Sequence, residues 1–161
     1  MTLELPVRRA NADDAGALAA MRYGLRAGVG PTTEPRDLFV ARCAQWMAER
    51  LSAEGSNWLC WVAEDAGRLI GQVWLSLIEK VPNPSDEPEL HGYVTNLYVV
   101  PENRGFGIGG RLLTVLLETC RGREVDSIIL WSTKRSKTLY ERSGFTGEGP
   151  LMERPWSETR R

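Results

Sequence analysis

Four glycines fall between Arg104 and Gly110, in the run Val99-Val100-Pro101-Glu102-Asn103-Arg104-Gly105-Phe106-Gly107-Ile108-Gly109-Gly110. A β-prone segment precedes the run, and Ile108, Leu112, Val115 and Leu116 follow it at helical spacing, so the glycines stand where a strand hands over to a helix. Backbone amides converging on a helix start form a concave site for anions, phosphate above all. Glycine lets the chain approach such a group with no Cβ in the way. The Arg104 guanidinium can reach an oxygen of the same group. The helix dipole adds only about 0.3–1 kcal/mol for an exposed anion, so the converging amides matter more.

Spacing separates the possible phosphate ligands. A Walker loop ends in Gly-Lys-Ser/Thr, which Gly109-Gly110-Arg111 does not supply. Gly105, Gly107 and Gly110 match the dinucleotide pattern G-x-G-x-x-G, with Glu124 or Asp126 near the expected acidic position. A strand this far into the chain is nevertheless a poor start for a Rossmann unit. The reading without chemistry is a glycine-rich turn shaped by packing alone.

A second segment, Leu139-Tyr140-Glu141-Arg142-Ser143-Gly144-Phe145, lies about thirty residues downstream. Taken together, the two segments resemble the GNAT superfamily of acetyl-CoA-dependent N-acetyltransferases. Its signature, Gln/Arg-x-x-Gly-x-Gly/Ala, is filled by Arg104, Gly107 and Gly109. Its short helix followed by Gly-Phe is filled by the Tyr140 segment. The likeness is close over Tyr93–Phe145 and general before it.

The resemblance implies a cofactor path. Amides of Arg104, Gly105, Phe106, Gly107, Ile108, Gly109 and Gly110 would hold the pyrophosphate of acetyl-CoA. The strand residues Leu97, Tyr98 and Val99 would pair with the pantetheine arm, and an amide near Tyr98 or Val99 would face the thioester oxygen. Tyr140 would sit near the sulfur as general acid, because a phenol of ordinary pKa about 10 stays protonated at neutral pH. Its bland alternative is packing beside Phe145. Thr133 and Ser136 stand where the family often has Asn and Ala, and both can hydrogen-bond to the cofactor.

No base announces itself. The family often carries a carboxylate on the strand before the loop, and Thr95 and Asn96 occupy those positions here. Glu89, His91 or a water chain are the remaining candidates, and a lone histidine at a strand edge is more often solvated and inert. The missing carboxylate also admits a non-catalytic module that holds acyl-CoA as a sensor. Cys43, Cys60 and Cys120 are read as reduced and mostly buried, and Cys120 at a helix C-terminus is a poor thiolate. Direct transfer in a ternary complex therefore takes precedence over an acyl-enzyme.

The elements positioning these groups read as βααβββαβαβ. They begin with a strand at Leu3–Arg9, a helix capped by Asn11, and a second helix with Pro35 at its first position and Phe39, Cys43, Trp46, Met47 and Leu51 as its stripe. A hairpin of Trp58–Glu64 and Leu69–Ile78 turns at Asp65-Ala66-Gly67-Arg68. A proline-rich loop, Val81–Pro88, then leads to a strand at Tyr93–Val100. A helix at Ile108–Cys120, a strand at Asp126–Trp131, a helix at Arg135–Arg142 and a last strand from Phe145 complete the chain. This order predicts an α/β (α+β) fold, a mixed sheet flanked by helices on both faces, in one domain over residues 1–161.

The chain has 161 residues and a formal net charge of −1, which disfavours a general nucleic-acid binder. Three cysteines and one histidine without metal-like spacing disfavour a zinc site. No apolar run spans a membrane, and the first ten residues lack a signal peptide's apolar stretch, so the expectation is a cytoplasmic protein. The acceptor is expected to be a small-molecule amine, held where the two N-terminal helices and the Glu79–Leu90 loop meet the strand, with Tyr23, Trp46, Trp74 and Trp131 as aromatic lining. Asp86, Glu87 and Glu89 are an acidic stretch that would steer a cation there, or an ordinary solvated loop. Proteins of this resemblance are commonly homodimers.

Overall fold

The structure is a computed structural model and describes residues 5–149 and 151–155. One mixed sheet of six strands runs in the order β1-β2-β3-β4-β5-β6. The strands are β1 Val7–Arg9, β2 Trp58–Asp65, β3 Arg68–Glu79, β4 Leu90–Val99, β5 Val125–Trp131 and β6 Leu151–Pro155. The helices are α1 Ala15–Ala27, α2 Arg36–Ser52, α3 Ile108–Gly122 and α4 Lys137–Arg142. All neighbouring pairs are antiparallel except β4 with β5, which α3 connects.

Side-chain alternation on β3 shows what covers each face. Gln72 donates from Nε2 to the Leu18 carbonyl of α1 at 3.1 Å, and the Trp74 ring meets Trp46 of α2 at 5.9 Å. A Cβ on Gly71 would instead lie 3.1 Å from Leu112 of α3. Helices thus lie on both faces, and β3 from Ile70 to Leu77 is buried throughout. Leu18, Leu112, Leu113 and Leu116, all at 0% exposure, seal the helices onto the sheet.

The hairpin turn closes as its residues dictate. Ala66 and Gly67 both have positive φ, 47° and 78°, the primed geometry that matches strand twist. Asn11 caps a short 3-10 turn, Ala12–Asp14, in a capping box, and α1 follows directly.

Several boundaries differ from expectation. Leu3 and Glu4 lie outside the described residues. Pro35 is the N-cap of α2, with ψ of 138°, and Arg36 is its first helical residue. β4 begins at Leu90 because Glu79 and Ile78 continue the ladder onto Leu90 and His91. α4 begins at Lys137, since Thr133 and Ser136 form a hydroxyl-linked turn before it. Phe145 does not start a strand. It fills the core at 1% exposure, edge-on to Tyr140 at 5.9 Å.

Candidate active site

The chemistry-bearing residues gather where β4 leaves β5. The parallel ladder runs only from Leu90↔Val125 to Tyr93↔Ile129, and beyond it the two strands part. On its other side β4 carries a bulge. Trp74 pairs with Thr95 and Gln72 with Tyr98, so Asn96 and Leu97 together oppose Val73. Asn96 takes φ of 57°, a left-handed conformation that Asn tolerates better than most residues. Its Oδ1 is buried with no hydrogen-bond partner among the described residues.

The parting strands open a cleft of about 430 Å³. Leu97, Tyr98, Val99, Arg104, Gly109, Thr133, Ser136 and Tyr140 all line it. Five other residues expected at this site play backbone parts. Gly105 and Gly107, at φ 84° and 78°, make the two left-handed steps that deliver the chain to α3. Ile108 buries its side chain beneath the sheet, where Cγ2 comes within 3.4 Å of a Cβ built on Gly71. Phe106 is 78% exposed at the loop tip, and Gly110 faces Leu139.

Gly107 is the N-cap of α3, and the first bond into the helix is Arg111 N–H to its carbonyl at 3.0 Å. The amides of Ile108, Gly109 and Gly110 therefore have no intrahelical acceptor and are free to bind an anion. Arg104 is a tie as well as a charge. Its Nε donates to the Val99 carbonyl at 2.8 Å, and its guanidinium lies 5.3 Å from the centre of the Tyr98 ring. Tyr98 in turn fits over Gly24, where an added Cβ would be 2.9 Å from its hydroxyl.

Tyr140 is 6% exposed, and burial pushes its phenol up to about 12 while the Ser136 hydroxyl pulls weakly the other way. It stays protonated at neutral pH. Burial likewise pushes Cys120 up to about 12 and raises Cys60 and Cys43, so none of the three is a ready thiolate.

A second cavity of about 440 Å³ opens between α1, α2 and the sheet. Trp46 and Trp74 line it as expected, together with Trp58 and Phe39. Tyr23 and Trp131 do not. Tyr23 turns to the Thr32 hydroxyl at 3.1 Å, while Trp131 lines the first cleft and meets Tyr93 edge-on at 5.3 Å. Arg22, Tyr93, Thr95 and Asn96 line both cavities and mark their junction.

Glu89 and His91 lie elsewhere. His91 sits in the paired stretch of β4, its Nδ1 2.8 Å from the Ser127 hydroxyl. Glu89 lines a separate depression with Lys80 and Glu87, where Lys80 bridges Glu87 at 3.0 Å and Asp126 at 2.9 Å. Of the acidic stretch, Glu87 is thus paired with Lys80, and Asp86, Glu87 and Glu89 line neither cavity. No Asp or Glu lines either cavity among the described residues, whereas Arg22, Arg26, Arg104 and Arg135 line the cleft. A positive, acid-free cleft with unpaired strand edge and free helix-start amides suits an extended amide-bearing chain that ends in phosphate.

Among the described residues no group of His, Cys, Asp and Glu could hold a metal, and no helix is long and apolar enough to cross a membrane. A model of the acetyltransferase (GNAT) family matches residues 30–145. A mycothiol acetyltransferase of Geodermatophilus obscurus is 36% identical over an alignment of 110 residues that covers 63% of this chain and 34% of that protein. The chain therefore spans about a third of the length of the curated relatives it matches. The solved structure of a GCN5-related N-acetyltransferase from Ralstonia eutropha is 26% identical, with a TM-score of 0.75, over 89% of this chain and 93% of that one. A predicted acetyltransferase from Clostridium acetobutylicum, solved with acetyl-CoA, shares the fold at 22% identity and a TM-score of 0.73, over 97% and 96%.

Proposed function

The chain belongs to the acetyltransferase (GNAT) family, and we propose that it transfers the acetyl group of acetyl-CoA to a primary amine by direct attack in a ternary complex. One observation carries this reading. The gap between β4 and β5 runs from the free amides of α3 to a junction with an apolar cavity, so a cofactor arm and an acceptor can meet at Thr95 and Asn96.

Amides at Ile108–Gly110 and the Arg104 guanidinium hold the pyrophosphate, and the open edge of Leu97–Val99 aligns the pantetheine arm. An amide near Tyr98 or Val99 faces the thioester oxygen as it gains charge, a contact whose loss typically costs about 10²–10³ in rate. The amine nitrogen forms its bond to the carbonyl carbon, the carbon–sulfur bond breaks, and the proton that leaves nitrogen ends on sulfur. Tyr140 donates a hydrogen bond to the departing sulfur. At about 12 it is a weaker acid than a thiol of ordinary pKa about 8.5, so it steadies the thiolate more than it surrenders a proton. With no carboxylate at the junction, the acceptor enters as the free amine, and the rate rises with pH through the amine's own pKa.

The lack of an acid in either cavity also fits a module that holds acyl-CoA without chemistry. Incubation with acetyl-CoA and a panel of amines, followed by thiol release and product mass, separates the two. Acetylation of any amine, reduced about 10–100-fold in kcat by Tyr140→Phe through loss of one hydrogen bond to the thiolate, with acetyl-CoA affinity unchanged, supports the enzyme. Binding without turnover across the panel supports the sensor, and turnover untouched by Tyr140→Phe removes the role given to that hydroxyl.

A further inference from the structure

We propose that the acceptor is an amine with a flat apolar body and a carboxylate, and that Arg22 binds the carboxylate; this rests on the acetyl-transfer reading and names its substrate class. Arg22 is half-buried on α1 and is, among the described residues, the one cation lining both cavities at their junction with Tyr93, Thr95 and Asn96. It has no hydrogen-bond or ion-pair partner among the described residues. The groups whose charge bears on it are Arg26, Cys43 and Tyr93, none of them a carboxylate.

A guanidinium partly withdrawn from water without a counter-charge is unfavourable, and its partial burial lowers the pKa of Arg22 accordingly. Of the other arginines along the two cavities, Arg26 and Arg135 are exposed and line the cleft alone, and the remaining two are engaged. Arg42 pairs with Glu34 at 2.6 Å, and Arg104 is tied to the Val99 carbonyl. The phosphate end of the cleft lies at the start of α3, whereas Arg22 stands where acceptor and acetyl group would meet. Its natural partner there is an anionic group on the acceptor.

The cavity walls describe the rest of the molecule. Trp46, Trp58 and Trp74 form a closed cluster, with ring centres 5.2, 5.9 and 6.2 Å apart. Trp74 is locked, because its Nε1 donates to Gln72 Oε1 at 3.0 Å and Gln72 is itself tied to α1. Such walls favour a planar ring. Aromatic walls also attract cations, but here arginines already lie over Trp46 at 4.4 Å and Phe39 at 5.5 Å. With Arg22 and Arg42 among the lining residues and no acid among them, a cationic body is disfavoured.

Matched amines test the inference. Phenylalanine and tryptophan are compared with their carboxamides as acceptors, for the wild type, Arg22→Gln and Arg22→Lys. Binding of N-acetylphenylalanine and its amide, the products, is followed without turnover by fluorescence of the Trp46–Trp58–Trp74 cluster. Rates are taken per unprotonated amine, because the α-amine of a carboxamide is less basic than that of the acid. On that basis the expected result is a preference of about 10–100-fold in kcat/KM for the acids, collapsing towards one in Arg22→Gln and partly kept in Arg22→Lys. The N-acetyl acid should quench the wild type and not Arg22→Gln. Equal use of acids and amides, an unchanged ratio in Arg22→Gln, or no acetylation of either set by a protein that binds acetyl-CoA overturns the inference and leaves acetyl-CoA binding standing. If the wild type binds no acetyl-CoA, the underlying reading fails first. Acetyl-CoA affinity that falls in Arg22→Gln together with an unchanged acid-to-amide ratio assigns Arg22 to the cofactor and likewise overturns it.

Discussion

Replacing Gly107 and Gly109 one at a time by alanine separates the shape of the loop from its chemistry. Gly107 has φ of 78° and ψ of 6°, and nothing lies within 4 Å of a Cβ built on it. The substitution meets no clash, so its cost is the left-handed backbone alone, about 1–2 kcal/mol. At this chain length that lowers Tm by about 2–8 °C. Gly109 is already helical. Its added methyl would meet Leu139 Cδ2 at 3.5 Å and Val99 Cγ2 at 3.9 Å, both ordinary contacts. Alanine there gains about 0.5–1 kcal/mol of helix stability, yet the methyl stands on the cleft wall beside the amides proposed to bind phosphate. Losing one charge-assisted bond of about 1.5–3 kcal/mol corresponds to about 10–100-fold in acetyl-CoA affinity. Thermal denaturation and calorimetry on both variants read the two effects. Gly107→Ala should lose Tm, and Gly109→Ala should keep Tm and lose affinity. A Gly109→Ala protein that binds like the wild type would refute the reasoning.

Three further outcomes follow from the same geometry. Asn96→Gly keeps the left-handed bulge and removes an unpartnered buried carbonyl, so it should be at least as stable as the wild type, while Asn96→Ala should be less stable than Asn96→Gly by about 1–2 kcal/mol in denaturant titration. Tyr140 and Cys120 are both raised to about 12 by burial, so the folded state holds their protons more tightly; stability should be complete below pH 9 and fall as pH rises towards 12, by about 3 kcal/mol from Tyr140 alone, and a denaturation midpoint unchanged to pH 11 would contradict this. Cys43 lines the aromatic cavity, so a bulky maleimide there should block transfer and spare acetyl-CoA binding, whereas Cys43→Ser should remain active; a folded but inactive Cys43→Ser would argue for an acyl-enzyme.

The order of elements and the glycine loop were legible because local signals decide them. Glycines supply the positive φ at Gly105 and Gly107, apolar spacing sets α3, and Asp65–Arg68 carries its own turn chemistry. The aromatic cavity between α1, α2 and the sheet was not. Trp58 and Phe39 read as ordinary strand and helix residues, and only the packing of α2 across the sheet brings them to Trp46 and Trp74. Arg22 reads as one polar residue on an amphipathic helix, and its lack of a partner is a property of the assembled fold. The bulge at Asn96 was equally hidden, since Asn within a strand-like run does not announce a left-handed step. Pro88 masked the start of β4, whose first residues are recruited by the length of β3. Phe145 looked like a strand residue because aromatics favour strands, but here it closes the core behind Tyr140.

Calorimetric titration of the purified protein with acetyl-CoA, free CoA and NAD tests the central claim most directly. Saturable binding of acetyl-CoA and CoA, with none for NAD, is the result expected of a cleft built from Leu97–Val99 and the amides at Ile108–Gly110. No heat with either CoA species would mean that the gap between β4 and β5 holds no cofactor, and the proposed acetyl transfer would fall with it.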